Sequence, residues 1–125
     1  MEIKLSIPAE KSLEHIIKNN LSLGKRIFSQ LKDRLPLDPY PDDPENELFH
    51  SKPFKALERD GYDIRILKSK EFFKLYRIFY IVDEPAEIIY ILEIVKRSRN
   101  TYELSSEHVK IVKDLYIRYY THKKG

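Results

Sequence analysis

The residues best suited to chemistry in this 125-residue chain are its cations. Arg77 stands inside a run of β-branched and aromatic residues, Phe73 to Val82, and Lys96, Arg97, Ser98 and Arg99 come directly after the apolar stretch Glu87 to Val95. A guanidinium keeps its charge and presents a planar fork of donors that matches phosphate oxygens. On a strand, Arg77 shares a face with Leu75, Phe79 and Ile81, at the edge of an apolar surface where partial desolvation strengthens its attraction for an anion. The same position also suits a buried arginine paired with Glu93 on the neighbouring strand. Three cations in four residues are likewise what a solvated loop carries.

Positioning these groups falls to elements whose periods are legible. Ile3, Leu5 and Ile7 alternate with Glu2, Lys4 and Ser6, which predicts a half-buried strand. Pro8 opens a helix with Leu13, Ile16 and Ile17 on one side, ending near Asn19 and Asn20. A second helix carries Leu21, Ile27, Phe28, Leu31 and Leu35 as its apolar stripe and Lys25, Arg26, Lys32 and Arg34 as basic surface. Residues 36–47, with four prolines and five acidic side chains, form an exposed loop. It serves as an acidic connector, or as a surface that keeps RNA away or meets a basic partner. Leu48 to Leu57 shows no clear period, although Phe49, Phe54 and Leu57 are expected to dock on the core.

From Tyr62 the spacing becomes that of strands: Tyr62, Ile64 and Ile66 alternate with Asp63, Arg65 and Leu67. Phe73 to Val82 continues in strand-forming residues until Asp83, Glu84 and Pro85 break the run. Glu87 to Val95 is apolar on both faces, as a strand covered on both sides requires. The three make an antiparallel meander. Ser105 then caps a last helix lined by His108, Ile111, Val112, Leu115 and Tyr119. The expected fold class is α+β: an N-terminal strand and helical hairpin on a C-terminal antiparallel sheet, closed by an additional C-terminal helix, with residues 1–125 as a single domain.

Bulk properties narrow the function classes. There is no cysteine, hence no disulfide framework and no thiolate metal site. His15, His50, His108 and His122 show no metal-ligand spacing, so no metal is expected. Gly24, Gly61 and Gly125 lie too far apart for a phosphate-cradling loop. No apolar run reaches membrane-spanning length and the N-terminus does not read as a signal peptide, so a cytoplasmic protein without membrane contact is expected. Charge is uneven: net +3 over residues 1–35, −4 over 36–61 and +4 over 62–125. A basic C-terminal half opposite an acidic middle suits a polyanion such as nucleic acid, or is simply solvated surface.

The order strand, helix, helix, three-strand meander and basic run resembles the RelE/ParE toxin superfamily. The residues that carry the resemblance are Tyr76, Arg77, Ile78, Phe79 and Tyr80, then Asp83 and Glu84 at the turn, the strand Glu87 to Val95, and finally Lys96, Arg97, Ser98, Arg99 and Tyr102. It is close over residues 62–102 and rests upstream on the order of elements.

Resemblance to the RelE branch implies a toxin that cleaves ribosome-bound mRNA without metal or cofactor and is silenced by a cognate antitoxin. It implies catalytic roles for Arg77, Arg97 and Tyr102, the tyrosine stacking on a base or moving a proton, and RNA binding by Arg65, Lys68, Lys70, Lys96 and Arg99. Attack of a ribose 2′-OH on the adjacent phosphate needs a base, stabilisation of the added negative charge and a proton for the leaving oxygen. Arg65 cannot practically give up a proton, which leaves Asp63, Lys68 or Lys70 as the base. His108 is a further titratable group, or a helix histidine half-packed on the sheet. A ParE-like gyrase inhibitor and an inactive RNA- or protein-binding module with the same fold are the alternatives.

Overall fold

The computed structural model describes residues 1–42, 49–70, 73–97 and 107–118. At the N-terminus one serine sets the geometry. Strand β1 (Glu2–Leu5) exposes Glu2 and Lys4 and half-buries Ile3 and Leu5. Ser6 then caps helix α1 (Ile7–Asn19): its hydroxyl accepts from the Ala9 N–H at 3.1 Å and donates to the Leu92 carbonyl at 2.6 Å, so the cap is also pinned to the sheet. Pro8 lies in the first turn, where a missing N–H costs nothing. Asn20 ends α1 and caps helix α2 (Leu21–Ser29) through the Leu23 N–H.

The apolar stripe of the second helix predicts one continuous piece through Leu35. Its last turn is instead π-helical over Gln30–Arg34, closed by the Leu35 N–H on the Gln30 carbonyl at 2.9 Å. The wider turn still buries Leu31 and Leu35 in line with Ile27.

Among the described residues five strands form one sheet in the order β1-β5-β4-β3-β2. They are β1, β2 (His50–Pro53), β3 (Arg65–Lys68), β4 (Tyr76–Asp83) and β5 (Ile88–Lys96), with a single-turn helix α3 (Lys55–Glu58) after β2. The α+β class and the antiparallel β3-β4-β5 meander are as the sequence predicts. The periods do not reveal that β1 joins the sheet parallel to β5, so the sheet is mixed, or that β2 extends it on the other side. Strand β3 starts only at Arg65, because Tyr62 packs edge-on against Tyr116 at 5.2 Å and the Ile64 carbonyl accepts from the Phe54 N–H. Strand β4 starts at Tyr76, since the Tyr76 N–H closes a turn on the Phe73 carbonyl.

Each sheet face carries its own core. Leu13, Ile16, Ile27 and Leu31 of the helical hairpin pack on Leu67, Ile78, Tyr80, Ile89 and Ile91. Helix α4 (Glu107–Tyr116) covers the other face, where Val109, Val112, Leu115 and Tyr116 meet Ile66, Phe79, Tyr90, Leu92 and Val95. Its buried side is therefore rotated from the expected one, with Ile111 only partly covered; Ser105 and Tyr119 lie outside the described residues, as does the His108 side chain. Between Phe79 and Tyr80 the β4-β5 register slips by one residue, a bulge that leaves Leu92 as the extra residue of β5. No helix among the described residues is long and apolar enough to cross a membrane.

Candidate functional site

Strand alternation and register decide which cations meet. The ladders set Ile66 opposite Phe79, Arg77 opposite Val95, Lys52 opposite Ile66 and His50 opposite Lys68. Directly opposed residues share a face, and Ile66, Phe79 and Val95 belong to the α4-side core. Lys52, Lys68, Arg77 and His50 therefore all project on the α4 side. Arg97 joins them: its N–H donates to the Leu75 carbonyl at 2.6 Å, extending the ladder by a rung, and it is two residues beyond Val95. Strands β2, β3 and β4 and the residue that follows β5 thus bring Lys52, Lys68, Arg77 and Arg97 to a single patch beside the β3-β4 turn.

Arg77 is 7% exposed, and its guanidinium donates to the carbonyls of Lys74 (3.0 Å) and Tyr76 (2.9 Å), which folds the side chain back onto that turn. The Glu93 carboxylate, considered as its partner, accepts from the Ser12 hydroxyl and the Ile94 N–H, each at 3.1 Å, and so ties β5 to α1.

Lys68 feels the patch most. Burial first, then a hydrogen bond from Lys52, then the charges of Lys52, Arg77 and Arg97 bring its pKa down from 10.5 to about 8. A half-buried lysine among three permanent or near-permanent cations is a group ready to release its proton. Of the candidate bases, Lys68 has this environment; Asp63 lies before β3, and Lys70 is exposed beyond it.

Arg65 and Lys96 fall on the other side of the sheet. Arg65 is set opposite Tyr80 and is engaged there: Nε donates to Ser51 Oγ at 2.7 Å, Nη2 reaches the Ser51 carbonyl at 3.3 Å, and the guanidinium lies 4.9 Å from the centre of the Tyr40 ring. Tyr80 completes this network by donating to the Pro39 carbonyl at 2.7 Å, and burial raises its pKa. Burial and a hydrogen bond to Glu84 push Tyr40 up to about 12. Lys96 is set opposite Tyr76 and alternates with Arg97, so the contiguous basic run is divided between two faces. Ser98, Arg99 and Tyr102 lie outside the described residues.

Sequence reasoning misses Lys52 and His50, because four residues of β2 ending in a proline show no usable period. His50 holds Asp42 at 3.1 Å through Nδ1, directly beside Lys68 on the ladder. The patch sets three cations, the buried Arg77, the half-buried Lys52 and the exposed Arg97, around the half-buried Lys68.

The family model described as "ParE toxin of type II toxin-antitoxin system, parDE" matches residues 3–101. Its span runs from β1 through β5 and the basic run. No curated protein and no solved structure matches the chain significantly.

Proposed function

Because the chain belongs to the ParE toxin family of type II toxin-antitoxin systems, whose toxins act under the control of a cognate antitoxin, we propose that its toxic activity is cleavage of ribosome-bound mRNA in the cytoplasm. The observation that supports this is the convergence of Lys52, Arg77 and Arg97 on the half-buried Lys68, which lowers its pKa to about 8. With a pKa near 8, roughly a tenth of the lysine is neutral at pH 7, against well under a thousandth for an unperturbed one.

In the proposed reaction the neutral Lys68 amine takes the proton of a ribose 2′-OH, and the 2′-oxygen bonds to phosphorus as the bond to the 5′-oxygen breaks. The products are a 2′,3′-cyclic phosphate and a 5′-hydroxyl. Arg77 and Arg97 carry the negative charge that builds on the phosphoryl oxygens. The proton for the leaving oxygen falls to Tyr102 by family resemblance, with His50, steadied by Asp42, as the donor among the described residues. Lys70, Lys96 and Arg99 bind RNA outside this centre.

The match to a ParE family model favours a second reading, in which the same fold inhibits DNA gyrase by binding it. Induction of the chain followed by primer extension on cellular mRNA separates the two. Cleavage is expected to produce discrete ends within translated frames, lost in Arg77→Ala, Arg97→Ala and Lys68→Met. DNA damage without new mRNA ends, or toxicity unchanged in all three variants, would overturn the nuclease reading.

A further inference from the structure

The two edges of the sheet are not alike. At β2 the segment around Asp42 bridges to His50, and the Ser51 N–H donates to the Pro41 carbonyl, so that edge is covered. At β1 the Glu2 and Ser6 N–H groups turn inward to the carbonyls of Glu87 and Ile91. Alternation turns Lys4 the same way and directs the N–H and C=O of Ile3 and Leu5 off the sheet. Among the described residues no strand pairs with this edge, and beside it runs a groove of about 360 Å³ lined by Met1, Ile3, Leu5, Phe28, Leu31 and Lys32. Phe28 and Met1 remain 44% and 40% exposed. Unprotected edge strands next to apolar surface are templates for another strand.

The sequence of β1 is complementary to itself in one register. If two copies pair antiparallel about a two-fold axis through Ile3, that residue exchanges both backbone bonds with its own copy, which its outward N–H and C=O allow. Glu2 then stands opposite Lys4 of the second copy, twice per dimer, as an opposite-charge cross-strand pair. Met1 stands opposite Leu5, and the apolar rows of both copies continue into their Phe28 grooves. Moving the axis to Lys4 would set two lysines against each other and lose this match.

We propose that β1 is a homodimerisation edge, joining two copies into one continuous sheet through the Ile3-centred register. The interface is small, which makes the dimer a concentration-dependent one. It leaves the Lys52, Lys68, Arg77 and Arg97 patch open, because that patch lies at the β3-β4 turn.

Sedimentation equilibrium of the 125-residue chain tests this independently of any activity. A monomer-dimer equilibrium is expected in the micromolar range. Lys4→Glu or Glu2→Lys alone should weaken it roughly tenfold by placing like charges opposite one another. The double variant Glu2→Lys, Lys4→Glu should restore it, as should an equimolar mixture of the two single variants. Ile3→Pro, which removes an outward N–H and leaves the β5 ladder intact, should abolish it. A monomer throughout the range, or a dimer indifferent to the single reversals, would overturn the proposal.

Discussion

Lys68 and Arg77 flank the last β3-β4 pair, Leu67 opposite Ile78, on the face that carries α4, and the guanidinium is one of three cations that help hold the lysine near a pKa of 8. The acidity of this lysine is therefore a property of the sheet register. Altering any neighbour in the patch should be visible at Lys68 itself.

Lys52→Met removes both a hydrogen bond and a positive charge from Lys68 and should raise its pKa toward the ordinary value. Titration of the Lys68 Cε resonance by NMR would read the shift directly. If the chain cleaves RNA, the acid limb of its pH-rate profile should move upward by the same amount. An unmoved resonance would show that Lys52 does not set the environment.

Stability should respond to alkali in two opposed steps. Lys68 has a folded pKa below its unfolded one, so between about pH 8 and pH 10.5 the unfolded chain binds more protons and stability rises with pH. Tyr40 is raised from 10.0 to about 12, so above pH 10 the folded chain holds the extra proton and stability falls. Urea midpoints measured from about pH 7 to about pH 10 should show a small rise that disappears in Lys68→Met.

Arg65→Lys keeps a positive charge but cannot reproduce the contacts to Ser51 and the Tyr40 ring. It should cost about 1–2 kcal/mol of stability and leave RNA affinity unchanged. Chemical denaturation beside an RNA-binding titration checks both halves. A loss of RNA affinity without a loss of stability would return Arg65 to the binding surface.

Gly24→Ala should destabilise the chain by about 1–3 kcal/mol, because a Cβ there would lie 2.7 Å from the Ile17 Cα and 2.9 Å from its nitrogen. These are backbone atoms of α1, which cannot turn away as a side chain does. A midpoint equal to the parent's would mean the hairpin opens at little cost.

Much of this arrangement is written locally in the chain. Ile3 and Leu5, the Leu13 and Ile16 stripe, and the doubly buried β5 all come from period and composition. The parallel pairing of β1 with β5 does not, since it joins segments far apart and no local pattern encodes a partner. Nor does β2, whose four residues His50–Pro53 are too few to show a period. The candidate site is half legible for the same reason. Arg77 and Arg97 stand out by type and context, whereas the union of Lys52 with Lys68, and the separation of Lys96 from Arg97, depend on register. Leu92 shows the limit at a single residue: the bulge there slips the register between Phe79 and Tyr80, and a strict count of two along β5 misplaces the residues beyond it.

The Ser6 to Leu92 hydrogen bond spans 86 positions of the chain, and this fixes when the protein can become itself. At a synthesis rate of roughly 5–20 residues per second, β1 waits several seconds for its partner to be made. Arg97, the last described cation of the patch, comes later still. A product of interrupted translation that stops short of β5 carries neither the central ladder nor the assembled patch. Assembly of the sheet thereby waits until synthesis has passed β5, the last of the described strands and the one that joins β1 to β4.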